Sequence, residues 1–321
     1  MIGIDVGGAN LKVVDDAGFH IHYCPLWERS PLGDLLRQHV KSDRDPAAVV
    51  MSGELADCFE NKLQGISFIV DAVRKAWPGA LFYGTDAQFH TNAVPELAAA
   101  NWLASADYLR TRYPDAVLLD VGSTTADIVP LNRFDSLLGM TDTTRLQAGY
   151  LVYNGILRTS VATLLRSVDL AGVPTPVSTE YFATSADVHL VLGHIIPDRY
   201  SCDTPDRKEK TRMASLRRLA RVVCADLDEI GSGGAQQIAE QFWAVQRDMI
   251  CSQTKKIADS SGAKEIIVAG IGAPLFSQEL GGTDLTRELG PVADALPAFA
   301  VRELAKARSV LTIQAIDREV S

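Results

Sequence analysis

Short apolar runs alternate with stretches of helical period along the whole chain, and the order of the two kinds is regular. IGIDV and LKVV flank a Gly-Gly turn, and FHIHYCPLW follows Ala17-Gly18, which predicts a meander of strands. Leu32, Leu35, Leu36 and Val40 then fall on one helical face, AVVMS has the pattern of a buried strand, and Ile66, Ile69, Val70 and Val73 form an apolar stripe over 65–77. Pro78-Gly79 closes that helix, ALFYG is a further strand, and an Ala-rich helix is predicted over 93–113, ended by Pro114. Strand and helix in alternation predict an α/β fold.

From Ala116 the opening pattern returns. AVLLDVGSTTADIVPL repeats the strand, Asp, Gly, small polar turn and strand of the N-terminus, so that Asp5 matches Asp120, Gly7 matches Gly122, Asn10 matches Thr125 and Lys12 matches Asp127 at constant spacing. Two halves of one ancestral unit follow, giving an N-terminal lobe over 1–115 and a C-terminal lobe over 116–321. The region of about 145–206 mixes Gly, Thr and Pro turns with short apolar runs and is expected to be inserted in the second lobe. Long helices are predicted over 207–230 and 234–260, then the buried strand IIVAG, a late strand, and a final Ala-rich helix over 295–307.

The 321 residues include 31 Lys and Arg against 40 Asp and Glu, a net charge of −9 that argues against a nucleic-acid partner. No apolar run reaches the length of a membrane span, the longest (146–157 and 266–277) being about a dozen residues, and the first residues already belong to a strand. A cytoplasmic protein is expected. Five irregularly spaced cysteines without a CxxC pair fit neither a disulfide framework nor a zinc ribbon.

The chemistry concentrates in the two acid-glycine turns. A strand ending in Asp and followed by a Gly turn aims backbone N–H groups at an anion, and the Asp tolerates that anion only when Mg²⁺ or its waters stand between them. One such turn is an ordinary hairpin feature; two in register, with Gly7, Gly8, Asn10, Lys12, Gly122, Ser123, Thr124 and Thr125, predict a phosphate site between two lobes. Neither a Walker A loop nor G-x-G-x-x-G is present. Gly270 and Gly272 form a third glycine turn, a resting place for a flat group or simply a strand-to-helix turn. In MSGELADCF, Glu54 and Asp57 would share one side of a helical turn at the cleft, or else merely complement a helix start. Tyr150, Tyr153 and Arg158 are candidates for an acceptor pocket.

IDVGGANLK and LLDVGSTTADIVP resemble the two phosphate motifs of the actin, sugar kinase and heat-shock chaperone ATPase superfamily, and AGIGAP is similar to its adenosine motif. More specifically, GIDVGGANLK, HYCPLW, MSGELADCF, AAANWLASA, LLDVGSTTADIVP and GILRT, in that order, resemble the hydantoinase-A-like family linked to tetrahydromethanopterin one-carbon transfer. The resemblance implies a duplicated, ribonuclease-H-like fold with a central cleft. It also implies a transferase of methanofuran or methylofuran biosynthesis, which condenses an aminomethylfuran-methyl diphosphate with the phenol oxygen of a tyramine or tyrosine compound and releases diphosphate. In that reading Asp5 and Asp120 position Mg²⁺, the turn residues bind diphosphate, and Glu54 or Asp57 is the base. Asn10 departs from the Thr or Ser of many superfamily kinases, and GIG replaces adjacent glycines. A small-molecule kinase, an ATP-using hydantoinase or oxoprolinase-type enzyme, and a non-catalytic nucleotide-binding partner protein stay open, as does a homo-oligomeric state.

Overall fold

The computed structural model describes residues 1–28, 31–41 and 46–319, with side chains through 309; the other positions of the two predicted lobes lie outside it. The first half runs β1 (Ile2–Val6), β2 (Asn10–Asp15), β3 (Gly18–Tyr23), α1 (Leu32–Gln38), β4 (Ala47–Met51), α2 (Lys62–Ala76), β5 (Leu81–Tyr83), β6 (Phe89–His90) and α3 (Asn101–Leu109). Its sheet has the order β3-β2-β1-β4-β5-β6, antiparallel through β1 and parallel from β1 to β5. Strands β1 and β4 are buried at every position, as expected of parallel neighbours covered on both faces.

The second half runs β7 (Ala116–Val121), β8 (Ala126–Pro130), α4 (Asp142–Ala148), β9 (Leu151–Val152), α5 (Val161–Leu164), β10 (Ser167–Leu170), β11 (Val173–Pro176), α6 (Ser185–Val191), α7 (Arg212–Arg221), α8 (Leu227–Ser261), β12 (Glu265–Ala269), α9 (Ala273–Leu280), β13 (Thr283–Asp284), α10 (Thr286–Leu289) and α11 (Leu296–Glu319). Its sheet order, β13-β12-β7-β8-β9, repeats the first: the opening hairpin and third strand are antiparallel, and the fourth and fifth strands are parallel to the opening strand. The molecule therefore has the two-lobed, duplicated ribonuclease-H-like fold with a central cleft.

Among the described residues, the connection from third to fourth strand in the first half holds only α1, whereas in the second it runs from β9 to β12 and carries four helices and the β10–β11 hairpin. This insertion has its own core, in which Val161, Leu165 and Val168 meet Leu216, Leu219 and Phe242. It extends well past the predicted end near 206 and leaves α4 and β9 in the lobe proper. The periodicity could not show this, because a helix pair with a satellite core has the same apolar stripe as one covering a sheet.

Two predicted helices are shorter than their patterns. Ala99, at φ 48°, separates a single 3₁₀ turn at Pro95–Leu97 from α3, and Cys224, at φ 59°, separates α7 from α8. Helix α8 restarts on a capping box formed by Asp226 and Glu229 and is broken once more at Gly231. Chain order and lobe membership also part company: α11 packs on β1, β4 and α3 of the first lobe. Together α3 and α11 fill the space between the sheets, where Val50, Leu103, Leu118, Ile267 and Val301 share one core. Among the described residues no helix is long and apolar enough to cross a membrane.

Candidate functional site

Both acid-glycine turns are closed by the same bond. The Gly7 N–H donates to the Asn10 carbonyl and the Gly122 N–H to the Thr125 carbonyl, each at 2.9 Å. In each lobe the loop leaving the fourth strand bonds back to the residue after the acid: the Ser52 and Gly53 N–H groups to Val6 O, and the Gly272 N–H to Val121 O. Glycine is required where that loop crosses the strand, since a Cβ on Gly270, which is also at φ 81°, would lie 2.4 Å from Asp120 Oδ1. The turns meet across the cleft, Asn10 Nδ2 donating to Ser123 Oγ at 3.3 Å.

The cleft between them has a volume of about 450 Å³, within the range of small-molecule sites. Gly7, Gly8, Asn10, Gly122, Ser123, Thr124 and Thr125 line it, as do Asp5, Lys12 and Asp120. Asp5 and Lys12 are paired across β1–β2, with Nζ 3.8 Å from Oδ2, and Asp5 is 3% exposed, its Oδ1 without a hydrogen-bond partner among the described residues. Burial raises the Asp5 carboxyl above its ordinary range, Lys12 opposes the rise, and Asp127 adds to it. Asp120 is pushed up to about 7 by burial; Lys12 again opposes, and Asp127, Asp5 and Asp294 reinforce the rise.

Asp127, Asp142 and Arg145 belong to this site although their chemistry was not singled out in the sequence. Asp127 lies opposite Asp120 in the β7–β8 register and pairs with Arg145, which also reaches Asp142 at 3.0 Å. The Arg145 guanidinium is buried 4.2 Å from the centre of the Trp102 ring. The repeat exposed Asp127 as the counterpart of Lys12, but Arg145 carries no local signal, because only the fold brings α4 against α3. Arg199 and Asp294, 95 positions apart and paired at 2.7 Å, close the cleft on another side.

Among the described residues no group of three or more His, Cys, Asp or Glu side chains is disposed to hold a metal ion. Asp5 and Asp120, two carboxylates that line the cleft, one of them with a buried oxygen that has no hydrogen-bond partner among the described residues, are oxygen donors of the type a hydrated divalent cation takes.

Glu54 and Asp57 depart from expectation. The segment after β4 is a series of turns and not a helix, so the two do not share a face: Glu54 is 1% exposed and Asp57 is at the surface, and neither lines the cleft. Gly65 of α2 packs directly on this segment, so closely that a Cβ there would fall 2.0 Å from Glu54 O. Burial raises the Glu54 carboxyl, and Oε2 has no hydrogen-bond partner among the described residues. Tyr150 likewise stays out of the cleft, half-buried against the apolar cores, whereas Tyr153 is 70% exposed at the cleft mouth. Arg158 faces the cleft beside the second turn, Nη1 donating to Thr124 Oγ1 at 3.4 Å.

The second turn is backed from below. The Ile156 N–H bonds to Gly122 O, those of Leu157 and Arg158 bond to Ser123 O, and Gly155 sits so close that a Cβ would come 2.6 Å from the Ser123–Thr124 backbone. Gln246, fully buried on α8, donates to Asn154 Oδ1 and Gly155 O and meets His189 Nε2 at 2.8 Å. Burial holds His189 down at about 3, so it is neutral. The insertion thus fixes one wall of the cleft through a buried polar network.

A family model described as hydantoinase/oxoprolinase matches residues 45–297. Over 320 residues the chain is 33% identical to a Methanocaldococcus jannaschii protein named (4-{4-[2-(gamma-L-glutamylamino)ethyl]phenoxymethyl}furan-2-yl)methanamine synthase, covering 95% of this chain and 97% of that one. A Methanococcus vannielii protein of the same name is 34% identical over 202 residues, 60% of this chain and 91% of that one. Solved structures that align include acetone carboxylase without nucleotide (TM-score 0.46, 12% identity, 91% of this chain and 51% of that one) and a glucokinase of the ROK family from Streptomyces griseus (TM-score 0.41, 15% identity, 93% and 97%).

Proposed function

We propose that this chain, which belongs to the hydantoinase/oxoprolinase family, is a transferase of methanofuran- or methylofuran-type cofactor biosynthesis: it joins an aminomethylfuran-methyl diphosphate to the phenol oxygen of a tyramine or tyrosine compound and releases diphosphate. The observation that carries the reading is the pair of matched turns, bridged by Asn10 and Ser123, in a cleft of about 450 Å³. Similarity running nearly end to end with a synthase of that name supplies the substrate class.

In this reading the backbone N–H groups of the turns and the hydroxyls of Ser123 and Thr124 hold the diphosphate oxygens, with Lys12 beside them. Asp5 and Asp120 would hold Mg²⁺, which would supply charge neutralisation on the diphosphate. The C–O bond at the furan methylene breaks with its electron pair leaving on diphosphate, the electron-rich ring stabilises the carbon, and the phenol oxygen forms the new C–O bond. The phenol proton ends on the released diphosphate, so the balance needs no protein base, in keeping with the positions of Glu54 and Asp57. Tyr153 stands at the mouth, where the phenolic acceptor enters.

The test is mass spectrometry of the purified protein with Mg²⁺, the furan diphosphate and tyramine, tyrosine or glutamyl-tyramine, beside a sample holding ATP in place of the diphosphate. An ether-linked product with released diphosphate supports the reading and names the acceptor. ATP turnover without condensation refutes it.

A further inference from the structure

We propose that Arg158 is the cation that takes up the leaving diphosphate, which removes it from the acceptor pocket; this rests on the reading that the cleft holds a diphosphate ester. Four cationic side chains line the cleft, and three of them are committed. Lys12 stands against Asp5, Arg145 is paired with Asp127 and Asp142, and Arg199 is paired with Asp294. Arg158 has no carboxylate partner among the described residues, and its one side-chain hydrogen bond there is to Thr124 Oγ1, within the second turn.

Its surroundings are built to hold it. The Arg158 backbone N–H bonds to Ser123 O at 3.0 Å, which ties its position to the turn itself. The guanidinium carbon lies 4.6 Å from the centre of the Trp27 ring. An indole under one face of a guanidinium limits its rotation and leaves the N–H edges free in the plane, the arrangement that grips two phosphate oxygens at once. A cation waiting for an acceptor carboxylate would need no tie to the phosphate turn. Arg158 instead shares Thr124 with the diphosphate, so it meets negative charge as it accumulates on the departing group.

Trp27 belongs to the first lobe and Arg158 to the insertion of the second, so the contact also spans the cleft. A diphosphate gripped by Arg158 is held by both lobes.

The test compares wild type with Arg158→Gln, Arg158→Lys and Trp27→Phe, each checked for folding by circular dichroism. Calorimetric titration with inorganic diphosphate, with and without Mg²⁺, is paired with steady-state KM values for the furan diphosphate and the phenol. Loss of a charge-assisted bond weakens diphosphate binding in R158Q by about ten- to a hundredfold; KM for the furan diphosphate rises with it, KM for the phenol is unchanged, and R158K and W27F fall between. Should R158Q be unstable, R158K alone must show the same pattern. Diphosphate binding unchanged in R158Q, or a rise confined to KM for the phenol, overturns the assignment. A wild type that binds no diphosphate at all refutes the underlying reading of the cleft.

Discussion

Lys12 and Asp127 occupy the same register position in two related hairpins and carry opposite charge: Lys12 lies across from Asp5 in β1–β2 as Asp127 lies across from Asp120 in β7–β8. Duplication therefore gave the cleft one compensated carboxylate and one crowded by another. The first half can steady an anion beside its acid, while the second accumulates negative charge that a cation relieves. Lys12→Met removes the cation beside Asp5 and is expected to lower kcat/KM by about 10²- to 10³-fold. Thermal stability should change little, because the stranded carboxyl can take up a proton. A drop of less than tenfold in steady-state assays would exclude Lys12 from the reacting site.

Asp120 is expected to pit stability against activity. Its carboxyl is held up at about 7 because its charged form is disfavoured by burial and by Asp127 and Asp5. At pH 8 Asp120→Asn removes that repulsion, so the thermal midpoint rises, by about 1.5 °C for each kcal/mol relieved in a chain of this length, while condensation is lost. Calorimetry beside activity decides; a lower midpoint would show that the native protein is not strained by this charge.

Much of this was legible in the chain because it depends on local order. The alternation of strands and helices and the two turns at constant spacing predict the sheets, and the ten residues expected from the two turns line the cleft. What escaped depends on distance. Arg145 and Arg199 find their carboxylates only when α4, the insertion and the segment before α11 converge, and no periodicity encodes that. Glu54 and Asp57 misled because their spacing fits a helical turn, whereas the chain there forms tight turns packed against Gly65 of α2.

Those two acids give a sharp contrast. Asp57→Asn alters an exposed side chain and is expected to leave kcat and KM within about twofold of wild type, as surface changes do to stability. Glu54→Gln removes a buried carboxyl that burial already biases towards its neutral form, and it should leave the pH–rate profile unmoved. A lost basic limb in the Glu54→Gln profile would return this residue to the chemistry.

Buried His189 makes an acid-side prediction. In the folded protein its imidazole titrates at about 3, because burial disfavours the charged ring, whereas the unfolded chain binds a proton near its ordinary 6.5. Between these values the unfolded state holds the extra proton, so stability falls as pH drops below about 6.5, by up to about 1.4 kcal/mol per pH unit for one site. His194 is depressed in the same direction, also by burial. Denaturant midpoints at pH 7, 6 and 5 should decline in wild type and decline less in His189→Gln. Parallel slopes would assign the acid loss to other groups.

Helix α11 sets the order in which the molecule can be completed. A Cβ on Gly3 would collide with the carbonyl of Ala298, and Arg302 Nε donates to the carbonyl of Met1. The first strand and the last helix are thus in intimate contact across nearly the whole sequence. On the ribosome the first sheet waits with one face uncovered until residues near 300 emerge, and its final closure must overcome the entropy of that long separation. The nascent first lobe therefore exposes apolar surface that the finished protein hides, and a chain stopped before α11 would leave one face of β1 and β4 uncovered.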